Sequence, residues 1–124
     1  MTSVLLVDDD PRMQVLGRKV LERQGYRVVV AADGNEAAAA ADAERFDVVL
    51  MDLEMPRVDG HQAMRLIKAS HPSLPVVAVT AYAMAGDSER CLEEGFDEYI
   101  SKPYEIGQLR SLVARLAEGR PPAG

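Results

Sequence analysis

Cys91 is the chain's one cysteine. A single thiol excludes an internal disulfide and a cysteine-built metal cluster, and it suits a reducing cytoplasm. There is no lysine and arginine cluster, and the formal net charge is −6. The average field therefore repels nucleic acid and anionic membranes, so neither is an expected partner. No apolar run approaches the length of a membrane span. The opening "MTSVLLVDDD" has neither a basic n-region nor a long apolar h-region, so it does not read as a signal peptide. Walker A and glycine-rich dinucleotide fingerprints are also missing. What is present is a chain of 124 residues, 48% hydrophobic and 27% charged. That suits one soluble, cytoplasmic domain large enough to bury its own core.

Five short apolar runs recur along it: "VLLV" (4–7), "YRVVVAA" (26–32), "VVLM" (48–51), "VVAV" (76–79) and "EYIS" (98–101). Most are apolar at successive positions rather than alternating. Such runs suit strands covered on both faces, as in a parallel sheet. Helical periodicity fills the gaps. Met13, Leu16, Val20 and Leu21 place an amphipathic helix over 11–24. An alanine-rich helix is expected over 35–43, and another over 60–69 with Asp59 as its N-cap. A short polar helix over 87–94 should stop at Gly95, and Leu109, Leu112, Val113 and Leu116 mark a last helix over 105–117. "GRPPAG" cannot continue it, so residues 119–124 are expected to be a flexible tail behind one domain, 1–118. Strand and helix alternating in this way predict a doubly wound α/β fold, a (βα)5 five-stranded parallel sheet with right-handed crossovers.

The polar residues collect where the apolar runs end. Strand 1 runs into Asp8-Asp9, strand 3 into Asp52, strand 4 into Thr80 and strand 5 into Lys102. Ligand sites of open α/β sheets lie at these carboxyl ends. Three clustered carboxylates cannot all stay ionised in a cleft without a cation, and oxygen ligands at this density suit Mg²⁺. A cation, an ammonium and a hydroxyl around one carboxylate are the parts that stabilise a transferring phosphoryl group. Asp52 stands alone on the central strand, which makes it the candidate nucleophile for an aspartyl phosphate. Asp10 precedes Pro11, at the expected first helical position, and reads as an N-cap.

"LLVDDDP", "VVLMDLEMPRVDG", "VVAVTAYA" and "DEYISKPY", in this order and spacing, resemble the four signature blocks of the receiver domain of two-component response regulators. The resemblance covers residue 4 to about 116. It implies a flavodoxin-like fold with strand order 2-1-3-4-5. Asp52 then matches the phosphoacceptor, which takes a phosphoryl group from the phosphohistidine of a sensor histidine kinase or a histidine phosphotransfer protein. Asp8 and Asp9 match the acidic pair that holds Mg²⁺, Asp9 directly and Asp8 largely through water. Glu54 matches the position whose backbone carbonyl completes the metal shell. Thr80 matches the switch hydroxyl, Lys102 the lysine that pairs with a phosphoryl oxygen, Pro103 the often cis proline after it, and Tyr99 the aromatic rotamer switch. Glu54 and Tyr82, each two residues past a site residue, match variable positions that gate the hydrolytic water. The implied output surface is the face of the fourth helix, fifth strand and fifth helix, about 84–116, docking a downstream protein. Such a domain transfers a phosphoryl group onto itself and is not a turnover enzyme. The late stretch "TAYAMAGDSERCLEEGFDEYISKPY" is similar to receivers of hybrid histidine kinases and to some single-domain regulators. With no effector segment after residue 118, docking, a phosphorelay shuttle and a receiver cut from a hybrid kinase are the expected outputs.

Other readings fit less well. Asp8-x-Asp10 resembles the nucleophile motif of haloacid-dehalogenase-type phosphatases, but Pro11 and Arg12 stand where a threonine is needed, and there is no room for a cap domain. A flavodoxin would need a Ser/Thr/Gly-rich loop after strand 1, where these acids repel the FMN phosphate. A phosphorylation-independent pseudo-receiver, acting as an interaction module, is opposed by the intact Asp8, Asp9, Asp52, Thr80 and Lys102. Cys91 reads as a small core hydrophobe, and His61 and His71 as surface residues.

Overall fold

The computed structural model describes residues 2–54, 60–81, 87–102 and 106–118. Five parallel strands run in the order β2-β1-β3-β4-β5: β1 (Ser3–Val7), β2 (Arg27–Ala31), β3 (Val48–Asp52), β4 (Val76–Thr80) and β5 (Glu98–Ser101). Five helices alternate with them: α1 (Pro11–Glu22), α2 (Gly34–Ala43), α3 (Gly60–Ser70), α4 (Asp87–Glu94) and α5 (Ile106–Glu118). The expected (βα)5 order and topology are both present.

The apolar runs have a simple cause. Every residue of β1, β3 and β4 is buried, because helices cover both faces of the sheet. Successive side chains go to opposite sides. Leu5, Val7, Val49, Met51, Val76 and Ala78 pack with α2, α3 and α4, through residues such as Ala37, Met64, Ile67 and Cys91. Val4, Leu6, Val48, Leu50, Val77 and Val79 pack with α1 and α5, through Val20, Leu21, Leu109 and Val113. Burying one such side chain contributes about 1.5–3 kcal/mol. The two edge strands, β2 and β5, keep partly exposed positions.

Register decides where the polar ends fall. Val7 pairs with Ala31 and Met51, Asp52 with Val79, and Thr80 with Ser101. All strands therefore finish at one rim. The chain leaves β1 for β2 on one side and crosses back to β3 on the other, so the crevice opens between the loops after β1 and β3.

Helix boundaries shift from expectation by a residue or two, for local reasons. The first helix ends at Glu22, not at 24. Tyr26 N–H donates to the Leu21 carbonyl and Gly25 N–H to that of Glu22, with Gly25 at φ 84°. The same closing pattern ends α4: Phe96 N–H reaches Cys91 and Gly95 N–H reaches Leu92, with Gly95 at φ 122°. The second helix begins at Gly34, one residue early, because Asp33 caps it by accepting from Glu36 N–H at 2.8 Å. The last helix starts at Ile106 and runs to Glu118. Asp59, expected to cap α3, and residues 119–124, the expected tail, lie outside the described residues. No helix among the described residues is long and apolar enough to cross a membrane.

Gly25 and Gly95 adopt backbones that L side chains avoid, but their surroundings differ. A Cβ at Gly25 would meet nothing within 4 Å, whereas one at Gly95 would lie 3.3 Å from the Met64 side chain. Gly25→Ala should cost about 1–2 kcal/mol, the left-handed penalty alone. Gly95→Ala should cost measurably more, because Met64 must also move. Urea unfolding of both variants, read as midpoint shifts at unchanged slope, checks the order.

Candidate functional site

The row Asp8-Asp9-Asp10 splits into three environments. Asp8 closes β1, its N–H bonded to the Ala31 carbonyl at 3.1 Å, and it has no exposed surface. One carboxylate oxygen, Oδ1, accepts from Asp10 N–H at 2.9 Å. Asp10 caps α1 by accepting from Arg12 N–H at 2.9 Å, with Pro11 in the first turn, as its position suggested. Asp9 stays exposed. Gln14, on the first turns of α1, donates from Nε2 to the Asp8 carbonyl at 2.6 Å and pins this corner.

Asp52 ends β3 with 1% of its surface exposed. Its Oδ1 accepts from Glu54 N–H at 3.0 Å, just as Asp8 Oδ1 accepts from the amide two residues on. The other oxygens of both residues face Lys102: its Nζ lies 3.1 Å from Asp8 Oδ2 and 3.2 Å from Asp52 Oδ2. Neither Oδ2 has a well-aligned hydrogen bond. Lys102 N–H donates to the Thr80 carbonyl at 2.8 Å, so β4 fixes where the lysine leaves the sheet. Thr80 is buried, and Tyr99 is half-buried on β5. Both line a cavity of about 320 Å³ that also touches Glu54, His61 and Cys91.

Oxygens of Asp8, Asp9 and Asp52 come within 4.8 Å of one another. One ammonium against three carboxylates leaves an excess of negative charge in a nearly dry cleft. Burial pushes the Asp52 carboxyl up to about 6, with the neighbouring Asp8 charge adding to it; the Glu54 amide and Lys102 oppose the rise. Lys102 is raised as well: burial alone would lower it, but the facing Asp52 and Asp8 carboxylates outweigh burial. Three carboxylates at this spacing, two of them with a buried Oδ2 that makes no hydrogen bond, fit a hard divalent cation such as Mg²⁺.

Asp8, Asp9, Asp52, Thr80 and Lys102 thus reach one rim, as the strand ends implied. Lys102 lies between Asp8 and Asp52 and bridges the two. The histidines differ from simple surface residues. His61 is half-buried, 2.7 Å from Glu94 and edge-on to Phe96, so it ties α3 to α4. His71 meets Asp42 at 2.9 Å. Cys91 is buried in the core. Tyr82 and Pro103 lie outside the described residues.

Gln14 and Gly60 carry parts of the site to which the sequence reading gave no role. A Cβ on Gly60 would come within 2.5 Å of the Asp52 carbonyl oxygen and 2.9 Å of Leu53 Cα. Only glycine lets α3 begin this close to the end of β3. The "DG" pair was a usable signal for a tight approach; Gln14 had none, since a polar residue on a helix is ordinary.

A family model described as the response regulator receiver domain matches residues 4–114. The chain is 42% identical over 117 residues to the sensor protein GacS of Pseudomonas syringae pv. syringae, covering 90% of this chain and 13% of that one. It spans only about an eighth of that relative's length. Among solved structures, the receiver domain of sensor histidine kinase PA1611 from Pseudomonas aeruginosa PAO1 superposes with a TM-score of 0.87 at 37% identity, covering 95% of this chain and 98% of that one. That structure has a magnesium ion coordinated in its active-site cleft. The chemotaxis protein CheY4 of Vibrio cholerae superposes with a TM-score of 0.86 at 28% identity, covering 94% and 98%.

The raised Asp52 carboxyl makes a stability prediction for the cation-free protein. With a folded value of about 6 against 3.8 unfolded, the native state holds an extra proton between these values, so stability falls as pH rises through that window. Asp52→Asn removes the penalty. It should stabilise the cation-free protein by roughly 2–3 kcal/mol above pH 6, with the gain fading toward pH 4. Thermal unfolding in EDTA across this range checks the sign and the window.

Proposed function

From its membership of the response regulator receiver family, matched over residues 4–114, we propose that this chain accepts a phosphoryl group from a phosphohistidine onto Asp52. The donor is a sensor histidine kinase or a histidine phosphotransfer protein. The observation that carries the reading is the Asp52 carboxylate, 3.2 Å from Lys102 and clustered with Asp8 and Asp9 at the rim of the sheet.

The reaction follows from the parts. At neutral pH an Asp52 carboxyl near 6 is mostly ionised, so it serves as the nucleophile without a general base. The Glu54 amide holds Oδ1, which leaves Oδ2 to attack. An O–P bond forms as the P–N bond to the donor imidazole breaks. The bonding pair returns to that nitrogen, and the ring leaves neutral when its other nitrogen carries a proton. Lys102 moves from neutralising two carboxylates to pairing with a phosphoryl oxygen, and the Thr80 hydroxyl donates to another. Asp8, Asp9 and Asp52, together with the Glu54 carbonyl, would hold Mg²⁺, which when bound would supply positive charge against the carboxylates and the phosphoryl oxygens.

The product biases a switch rather than a turnover cycle. Thr80 is drawn toward the phosphoryl group, and Tyr99 follows into the cavity the two residues share. The face built by α4, β5 and α5 then presents a changed surface to a downstream protein. A relay role in a larger sensor kinase is the natural setting, given the similarity to GacS.

Mass spectrometry after incubation with acetyl phosphate tests the assignment. The wild type should gain one base-labile, acid-stable phosphoryl group with Mg²⁺ and none in EDTA. Asp52→Ala should gain none, while Asp10→Ala, a cap variant, should still react. A wild type that stays unmodified by acetyl phosphate and by a broad kinase panel would leave an interaction module as the better description.

A further inference from the structure

Glu54 does something at this site with its side chain as well as its backbone. Its Oε1 accepts from Ala81 N–H at 2.8 Å. That amide is available for a topological reason. The Val79 carbonyl faces β3, where it accepts from Leu53 N–H at 2.9 Å. By the alternation of a parallel ladder, Ala81 N–H faces the same side. It would meet the next carbonyl of β3, but that strand ends at Asp52. The side chain of Glu54 takes the amide instead.

An amide donor one residue past Thr80, at the rim that holds Asp52, is where an anion on Asp52 would seek hydrogen bonds. A phosphoryl group brings three acceptor oxygens to a place with few donors. We infer that the Glu54 carboxylate is a displaceable internal anion, seated on Ala81 N–H until a phosphoryl oxygen takes its place. The inference rests on the phosphoacceptor reading of Asp52 and deepens it. Glu54 is then a positioning residue: it competes with the incoming group and sets how readily the site is filled. The cavity of about 320 Å³ that Glu54 lines gives the released side chain somewhere to go.

Simple charge repulsion by Glu54 would also disfavour an anion, and chain length separates the two causes. Glu54→Asp keeps the charge but shortens the arm by one methylene, so it loses the seat on Ala81. Glu54→Gln keeps the arm and an acceptor oxygen but loses the charge. Glu54→Ala loses both. The probe is beryllofluoride, a tetrahedral anionic mimic of a phosphoryl group that joins a carboxylate oxygen, titrated at saturating Mg²⁺ with an Asp52→Asn control. Amide resonances are followed by NMR in the same samples.

Glu54→Ala and Glu54→Asp should both bind beryllofluoride about five- to tenfold more tightly than wild type, the worth of one partly exposed charge-assisted hydrogen bond. Glu54→Gln should fall between them and wild type. Without ligand, the Ala81 resonance should move in Glu54→Ala and Glu54→Asp, marking loss of its acceptor. Affinities of Glu54→Asp that match wild type while Glu54→Gln matches Glu54→Ala would assign the effect to charge and overturn the inference. So would an unmoved Ala81 resonance in Glu54→Ala. If the wild type itself takes up no beryllofluoride, the phosphoacceptor reading fails instead, and the ligand-free Ala81 resonance still reports separately on the Glu54 contact.

Discussion

One ammonium shared by two dry carboxylates is the constraint from which the rest of this molecule can be argued. Lys102 stands 3.1 Å from Asp8 and 3.2 Å from Asp52, and both acids are essentially unexposed. Buried charges are tolerated only when paired and hydrogen-bonded. Each acid therefore spends one oxygen on a backbone amide two residues ahead, and turns the other toward the lysine. Even so, the account does not balance, because Asp9 adds a third carboxylate within 4.8 Å. The residual strain is visible in the Asp52 carboxyl, raised to about 6 mainly by burial. A site in this condition favours the arrival of positive charge.

The sheet makes such a site affordable. Strands β1, β3 and β4 are buried along their whole length, so the backbone that carries Asp8, Asp52 and Thr80 is held by packing on both faces. The polar groups appear only where each strand stops. Parallel register then sets them side by side without any of them having to fold back. Gly60 shows how tight the arrangement is, since α3 starts against the carbonyl of Asp52 itself with no space for a side chain.

Much of this was legible in the chain. Continuous valine-rich runs gave buried parallel strands, because strands covered on both sides need no polar face. Asp8, Asp9, Asp52, Thr80 and Lys102 stood out because each follows such a run, and register turned that sequence pattern into proximity. Strand and helix ends were less legible, because capping contacts such as those of Gly25 and Asp33 decide them residue by residue. The bridging position of Lys102 was not readable either. Strand order brings a lysine to the rim, but where its ammonium settles depends on which carboxylates are buried. Gln14 and the side-chain bond from Glu54 to Ala81 were invisible for a related reason: both bind backbone groups, and the sequence does not say which amides and carbonyls a strand end leaves over.

Where the molecule can respond follows from the same asymmetry. On the α1 and α5 side, Val20, Leu21, Leu109 and Val113 pack against the sheet, and the cavities there lie away from the strand ends that carry Asp52 and Thr80. On the α4 side, a cavity of about 320 Å³ reaches from Glu54 and Thr80 to Tyr99 and the helix surface. Packed interiors do not deform continuously; they move between discrete arrangements where space allows. Here the space adjoins the proposed switch residues. It is bordered by a short polar helix tied to α3 by the His61–Glu94 pair and by Cys91 in the shared core. A pull on Thr80 would act on the cavity that Thr80 itself lines, beside α4 and β5. In the proposed function, the charge imbalance at the strand ends makes the site respond to a phosphoryl group, and the cavity beside it links that response to the α4 and β5 surface.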